Sequence, residues 1–147
     1  MDEFATLENW MEPLLHKFSN SEKRKFNRSL ASQLRKRQAA RIEAQKNPDG
    51  SPFEARKTSK NGSIRSKAKM FEMLRTARHM KISANADGAA IGFKGSAAFI
   101  AKIHQEGLTA NVVPDGPLYQ YPVRKLLGFS DSDRALILSS FTEYLYS

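Results

Sequence analysis

The segment from Arg41 to Phe53, RIEAQKNPDGSPF, joins a basic run to a turn and then to an aromatic residue. Pro48 removes a backbone donor and disfavours helical backbone at Asn47, which precedes it. The Asp-Gly pair that follows suits a tight turn, and Pro52 stiffens the exit from it. The sequence therefore predicts that a long helix stops before Asn47 and that a turn leads the chain away.

The composition indicates a single domain. The chain has 147 residues, of which 40% are hydrophobic, enough to bury one core without covalent cross-links. It contains no cysteine, which excludes disulfides, thiolate zinc sites and cysteine nucleophiles. No apolar run approaches the roughly 20 residues that cross a bilayer. The acidic start from Met1 to Phe4 is unlike a signal peptide, so we expect the protein to be made and used in the cytoplasm.

The charge of the chain is unevenly distributed. The net charge is +9, and residues 17–81 hold 19 Lys and Arg against 5 Asp and Glu. The remaining residues hold 5 against 10, so they are acidic. Such a chain can meet an acidic partner with one surface and a basic copy of itself with another. Nucleic acid and an acidic protein ring fit this charge equally well.

Two helices are predicted in the N-terminal third. Residues 1–20 form the first, because apolar residues recur there at spacings of three and four. Ser19, Asn20 and Ser21 then break this pattern and offer caps for the second helix. The apolar stripe of the second helix runs through Phe26, Leu30, Leu34 and Ile42. Basic residues cover the rest of its circumference, which is typical of either a solvated face or a binding surface.

The middle of the chain predicts a loop, a helix and a hairpin. Residues 47–66 are poor in apolar side chains and are expected to form a mobile basic loop. Residues 67–78 show helical periodicity. Residues 80–85 and 89–93 flank an Asp-Gly turn and are expected to pair as a β-hairpin. Residues 108–121 are expected to be a loop or an irregular strand.

The C-terminal half predicts two helices around an extended segment. Ser96 is expected to cap a helix over residues 97–105 that ends at Gly107. Residues 121–127 are expected to form an edge strand, because a proline lies within them. Ser130 and the aspartate three residues later resemble a capping box for the last helix. The fold class is therefore α+β, with several helices packed on a small antiparallel sheet and a long basic loop; residues 21–147 form a single domain.

The sequence contains no convincing catalytic or cofactor-binding group. Its histidines, His16, His79 and His104, fall in three different predicted helices. His104 and Glu106 could act as acid and base, but we favour a helix end in which His104 caps carbonyl groups and Glu106 is solvated. Residues 92–96 follow a predicted strand and open a helix, but they have no lysine at the position that the phosphate-binding loop motif requires. No zinc pattern is present. We expect no enzyme activity, no cofactor and no metal.

Four motifs, taken in order, carry a family resemblance. They are residues 47–53, 67–75, 103–108 and 121–129. From about Leu30 to the C-terminus the chain resembles the phage virion morphogenesis family, the tail completion proteins of contractile-tailed phages. The matching residues are Asn47, Pro48, Asp49, Gly50, Pro52, Phe53, Met70, Phe71, Leu74, His104, Gln105, Gly107, Tyr121, Pro122, Arg124, Leu127 and Gly128.

The resemblance implies a structural role in a phage or prophage. A protein of this family is a non-enzymatic component that completes the head-proximal end of the tail and enables head–tail joining. The implied partners are tail tube or tail terminator proteins and head-connector proteins. A homo-oligomeric ring is also implied, with six copies expected from the sixfold symmetry of phage tails. The protein would reside in the virion and, during assembly, in the host cytoplasm.

The basic residues of the second helix and the loop are the candidate partner-binding groups. Arg124, a residue of the last motif, is added to them. The set is Arg35, Arg37, Arg41, Lys57, Lys60, Arg65, Lys67 and Arg124. The alternative function is sequence-nonspecific nucleic-acid binding by the basic helix and loop. The helix lacks interleaved aromatic residues for base stacking, so we favour the assembly role.

Overall fold

The computed structural model describes residues 18–56, 69–112 and 114–146. This part of the chain has three helices and two hairpins, which confirms the predicted α+β class. The elements in chain order are α1 (Asn20–Glu43), β1 (Met80–Ala84), β2 (Ala89–Phe93), α2 (Ser96–Glu106), β3 (Thr109–Asn111), β4 (Leu118–Gln120) and α3 (Asp131–Tyr146).

Helix α1 begins and ends where local sequence chemistry dictates. The Ser19 hydroxyl accepts a hydrogen bond from the Glu22 N–H at 3.2 Å, which confirms the predicted N-terminal cap. After the helix, Gln45 has a φ of 59°, a left-handed conformation that ends the helical path. The Gln45 side chain donates to the Ile42 carbonyl at 2.8 Å and exchanges hydrogen bonds with the backbone of Met70 at 2.8 and 2.9 Å.

The buried residues form two clusters, and α1 contributes to both. One cluster contains Ile42, Phe53, Leu74, Met80, Ala97, Ala101 and Leu126. The other contains Leu30, Leu34, Ile137 and Phe141, with Phe26 packed against it. Ile42, near the C-terminal end of α1, lies in the first cluster. Leu30 and Leu34 lie in the second cluster, together with Ile137 and Phe141 of α3, so α1 joins the two clusters.

The β1–β2 hairpin is confirmed in its predicted place. The strands pair antiparallel with Met80 opposite Phe93 and Ala84 opposite Ala89. In the turn, the Asn85 side-chain oxygen accepts hydrogen bonds from the N–H groups of Asp87 at 2.8 Å and Gly88 at 3.1 Å. This local hydrogen bonding is the reason that Asn is favoured at such turns.

Two elements differ from the sequence prediction. The helix predicted over residues 67–78 is wrong for the described residues 70–78, which form successive turns. Phe71 has a φ of 67°, which a helix does not allow, and its ring meets Phe53 edge to face. The segment 108–121 contains a second antiparallel hairpin, in which Thr109 lies opposite Gln120.

The ends of α2 show one correct and one wrong prediction. Ser96 is the first residue of the helix rather than its cap; Gly95 occupies the cap position without a side-chain hydrogen bond. Gly107 ends the helix with a φ of 65° and a ψ of 48°, as predicted. A Cβ atom at Gly107 would also lie 2.8 Å from Val123 Cγ2. Both the left-handed backbone and this close contact therefore favour glycine at this position.

The capping box of α3 is confirmed. The Ser130 N–H donates to Asp133 Oδ2 at 3.0 Å, and the Asp133 N–H donates to Ser130 Oγ at 3.1 Å. The predicted helix at residues 1–20 lies outside the described residues up to residue 17. At its end, the Phe18 ring lies 4.4 Å from the ring of Tyr144 on α3. Among the described helices, none is both long enough and apolar enough to cross a membrane.

The packing of α3 on α1 gives the first testable prediction. Ile137 is 2% exposed, whereas its neighbour Leu138 is 52% exposed. Truncation of a buried isoleucine to alanine removes apolar contacts and leaves a cavity, so Ile137→Ala should lower the free energy of unfolding by about 2–5 kcal/mol. Leu138→Ala is the matched control and should change it by less than about 1 kcal/mol. Urea unfolding of both variants measures the difference, and equal losses would contradict the packing of α3.

Candidate partner-binding surface

The edge strand predicted at residues 121–127 is wrong, and the segment from Arg124 to Gly128 overlaps it. The segment belongs to no strand, yet its backbone N–H groups are all hydrogen-bonded. The Arg124 N–H donates to the carbonyl of His104 at 2.8 Å. The Lys125 N–H donates to the side-chain oxygen of Asn47 at 2.8 Å. A motif residue of the first turn therefore holds the last motif.

Gln105 of α2 holds the middle of the same segment. Its Oε1 accepts from the N–H groups of Leu126 at 2.8 Å and Leu127 at 3.0 Å. Its Nε2 donates to the Leu127 carbonyl at 2.8 Å. The next N–H, at Gly128, donates to Oε1 of Gln38 at 3.2 Å. One glutamine side chain thus replaces the neighbouring strand that would otherwise bind this backbone.

Arg41 of α1 completes the carbonyl side of the segment. Its Nη1 donates to the carbonyls of Lys125 at 2.9 Å and Lys46 at 2.8 Å. Its Nη2 donates to the Leu126 carbonyl at 2.8 Å and to Gln38 Oε1 at 2.6 Å. Burial lowers the pKa of Arg41 from its ordinary value, although Asp133 opposes that shift. The guanidinium is bound by acceptors of the protein itself, so Arg41 fits a structural role better than the partner-binding role predicted for it.

The turn at residues 47–53 is built from local hydrogen bonds. The Asn47 N–H donates to the Ser51 carbonyl at 2.8 Å, and the Gly50 N–H donates to the Asn47 carbonyl at 2.9 Å. Asp49 accepts from the hydroxyl and the N–H of Ser51, and these hydrogen bonds lower the pKa of Asp49. Phe53 then enters the core. The described part of the predicted loop 47–66 is therefore a defined turn followed by a buried anchor.

The turn packs directly on the Arg124–Gly128 segment. A Cβ atom at Gly128 would lie 2.5 Å from Pro48 Cγ, so the close approach of these two motifs requires a glycine. The two motifs and the start of α3 frame a groove of about 890 Å³. The groove is lined by charged residues, among them Asp49, Lys125 and Arg134, and by several other polar and apolar residues. A groove of mixed charge at the protein surface suits contact with another protein.

The other predicted basic residues have four different kinds of surroundings. Arg37 pairs with the buried carboxylate of Asp133 at 3.1 Å and donates to the Ser132 carbonyl at 3.2 Å, so it ties α1 to α3. Arg35 is half-buried on α1. Arg124 is 3% exposed and lines a cavity instead of a basic surface. The loop residues Lys57, Lys60, Arg65 and Lys67 lie outside the described residues.

His104 lies in a ring cluster, which corrects its predicted role as a helix cap. Its ring meets Phe71 at a centroid distance of 4.7 Å and Tyr121 at 5.0 Å, both edge to face. The Arg124 guanidinium donates to its Nδ1 at 3.2 Å. Burial and then the Arg124 charge lower the pKa of His104 to about 4. Glu106 is exposed, as predicted.

The remaining motif residues mainly serve the core. Leu74 is buried in the same cluster as Phe53, and Met70 and Phe71 pack against it. Pro122 follows Tyr121 in the stretch that leads into the Arg124–Gly128 segment. No group of three or more metal-ligating side chains was found among the described residues.

Gln38 and Gln45 were not predicted as important residues. Gln38 is 1% exposed and lies on the apolar stripe of α1. A polar residue four positions after Leu34 and four before Ile42 is a signal of a buried hydrogen-bonding role. Gln45 carries no comparable signal, because Met70, with which its side chain exchanges hydrogen bonds, lies 25 positions away.

Similarity to known proteins agrees with the motifs that meet at this surface. The sequence model of the phage virion morphogenesis family matches residues 2–146 of the chain. The chain belongs to this family, which is a family of virion assembly proteins and not of enzymes. It is 37% identical over 142 residues to Tail completion protein S of Escherichia phage P2, and the alignment covers 93% of each chain. The match includes the N-terminal residues, which the sequence resemblance from Leu30 did not reach. No solved structure matches the chain.

Gln105 provides a sharp test of the hydrogen-bonded segment. Gln105→Ala leaves three backbone groups in a half-buried setting without partners, so it should lower the free energy of unfolding by about 2–4 kcal/mol. Glu106→Ala, at the exposed adjacent position, should cost less than about 0.5 kcal/mol. Urea unfolding followed by circular dichroism compares the two variants. A Gln105→Ala loss no larger than that of the control would contradict the assigned contacts.

The environment of His104 predicts a pH dependence of stability. Its pKa of about 4 in the folded protein lies below that of a free imidazole, about 6.5, so protonation favours the unfolded chain. The His104 contribution to stability should therefore be fully present above pH of about 6.5 and decline as the pH falls towards 4. The ring carbon resonances of His104 in NMR spectra report its pKa directly. A measured pKa near that of free imidazole would contradict the burial of this ring.

His104→Gln is the control for that pH dependence. Glutamine retains a side-chain oxygen that can accept from Arg124 but does not titrate. The variant should therefore show a weaker decline of stability between pH 6.5 and 4 than the parent protein. An unchanged decline would assign the effect to other groups.

Proposed function

We propose that this protein completes the head-proximal end of a phage tail and makes the tail competent to join a DNA-filled head. The observation that carries the proposal is the similarity to Tail completion protein S of Escherichia phage P2, which spans 93% of both chains. The motifs that carry the family resemblance are not scattered over the molecule. Two of them form the walls of the polar groove, and a third, through Gln105, holds one of those walls in place.

The polar groove is the surface that we assign to a protein partner. Its wall is stiffened by hydrogen bonds on both sides, from Asn47 and from Gln105, so its shape is available before a partner binds. A preformed surface loses little conformational entropy on association. The exposed charges along it, including Asp131 and Lys125, provide specificity of orientation. The partners are tail tube or tail terminator proteins on one side and head-connector proteins on the other.

A homo-oligomeric ring explains the uneven charge. Exposed basic residues on α1, such as Arg24, Arg28 and Lys36, lie in the basic part of the sequence. Exposed acidic residues such as Asp131 and Glu143 lie on α3. Contacts between unlike surfaces of identical subunits close into rings when the rotation is fixed. We propose six copies, because phage tails have sixfold symmetry.

Loss of the protein should block head–tail joining. In a phage that lacks its gene, we expect DNA-filled heads and separate tails to accumulate, with an infectious titre reduced by orders of magnitude. Electron microscopy of lysates counts joined and separate particles. Normal numbers of joined particles would contradict the proposed function, whereas absence of filled heads would place the protein in head assembly instead.

Complementation distinguishes the basic surface from the fold. The parent protein supplied in trans should restore joining. A variant with Lys57, Lys60, Arg65 and Lys67 changed to Gln should fold normally and restore joining less well, because an acidic partner surface loses four cations. Full restoration of joining by this variant would show that the basic loop is not part of the docking surface. Loss of DNA binding with full restoration would favour nonspecific nucleic-acid binding as the role of these residues.

A further inference from the structure

A second concave site adjoins the backbone segment that forms a wall of the polar groove. Arg124 lines this second site, whereas Lys125 lines the groove. The second site is a cavity of about 390 Å³ near the end of α2. Its walls are mainly apolar and aromatic, and two arginines contribute to the lining. The lining residues are Arg56, Met70, Phe71, His104, Val112, Tyr119, Tyr121 and Arg124.

Arg124 is a buried cation without a buried anion beside it. Its side chain is 3% exposed, and its Nε donates to the carbonyl of Glu54 at 2.8 Å. Its Nη1 donates to Nδ1 of His104 at 3.2 Å. Among the described residues, no carboxylate lies within ion-pair distance of it, and both of its partners are uncharged groups. Buried guanidinium groups are normally paired with carboxylates, since burial of an isolated charge is costly.

His104 does not supply the missing negative charge, and it does not add a positive one. A guanidinium can only donate, so His104 Nδ1 accepts and the proton of the neutral ring is on Nε2. Burial lowers the pKa of Arg124, and Tyr119 and then Glu54 oppose that shift. The Glu54 side chain is exposed, and Glu54 touches Arg124 only through its carbonyl. Arg56 adds a second cation to the cavity wall.

The ring arrangement favours a small anion over a nucleobase. The contacts of His104 with Phe71 and Tyr121, and of Tyr121 with Tyr119, have interplanar angles of 75°, 66° and 82°. In each edge-to-face contact one ring covers a face of the other, so the cluster has no parallel pair of faces between which a base could insert. Aromatic edges carry partial positive charge, which is compatible with an anion held by arginine.

We infer that this cavity binds a carboxylate, and that its occupant in the assembled particle is an aspartate or glutamate side chain from an acidic segment of a partner protein. The carboxylate would face Arg124 and Arg56, and the methylene groups that carry it would pack on the aromatic wall. Carboxylate binding by the isolated protein is independent of the proposed function. The identity of the occupant as part of an assembly partner rests on it.

NMR titration of the isolated protein with sodium propionate tests the inference. Propionate carries one carboxylate on a short apolar chain, and sodium chloride at equal ionic strength is the reference. We expect saturable changes in the ring signals of His104, Tyr119 and Tyr121, and an upward shift of the His104 pKa, because a nearby anion stabilises the imidazolium form. Chloride should produce neither effect.

Substitutions assign the effect to the cavity. Arg56→Gln should weaken propionate binding about fivefold, the change expected for loss of one partly exposed ion pair. Arg35→Gln, which removes a half-buried arginine from α1 instead, should leave binding unchanged. Arg124→Gln should abolish propionate binding, and circular dichroism checks that this variant is folded. If the Arg124→Gln variant does not fold, the comparison of Arg56→Gln with Arg35→Gln tests the inference.

Several outcomes would overturn the inference. They are changes that do not saturate, equal changes with chloride, and equal weakening by Arg56→Gln and Arg35→Gln. Displacement of propionate by a thymidine oligonucleotide at lower concentration would replace the carboxylate with nucleic acid as the ligand. Normal head–tail joining without the protein would contradict the proposed function but would leave propionate binding unaffected, so the two failures are distinguishable.

Discussion

The backbone from Arg124 to Gly128 lies next to the core without a strand beside it, and the rest of the structure depends on how its polar groups are satisfied. Leu126, in its middle, is fully buried, so the neighbouring N–H and C=O groups cannot rely on water. Side chains from three distant parts of the chain bind them: Arg41 and Gln38 on α1, Asn47 in the turn, and Gln105 on α2. Each contact satisfies the segment and, at the same time, fixes the element that supplies it.

This arrangement places two concave surfaces on one short segment. Lys125 lines the polar groove, and its neighbour Arg124 lines the aromatic cavity. Adjacent residues therefore line different sites, so a segment of five residues contributes to both. The Arg37–Asp133 pair adds a further link by joining α1 to the start of α3.

The sequence predicted the features that depend on nearby residues. The Ser19 cap, the turn of the β1–β2 hairpin, Gly107 and the Ser130 capping box all involve residues a few positions apart. The failures depend on distant contacts. Residues 70–78 have helical periodicity, but Gln45 fixes the backbone of Met70 and Phe71 adopts a left-handed conformation. An edge strand was predicted at residues 121–127, with Pro122 as the reason for placing it at an edge. The structure has no strand there, and side chains bind the N–H groups of Lys125, Leu126 and Leu127, which periodicity cannot reveal. Arg41 was placed on a binding surface for the same reason, since its acceptors lie 84 and 85 positions away.

The most direct measurement is amide hydrogen exchange across residues 124–128 in the isolated protein. If Asn47, Gln105 and Gln38 bind this backbone as described, the N–H groups from Lys125 to Gly128 should exchange as slowly as those in the paired strands β1 and β2. Exchange of these groups at the rates of an unstructured peptide, with β1 and β2 protected, would show that the segment is not held. The frame that positions both the groove and the cavity would then be wrong.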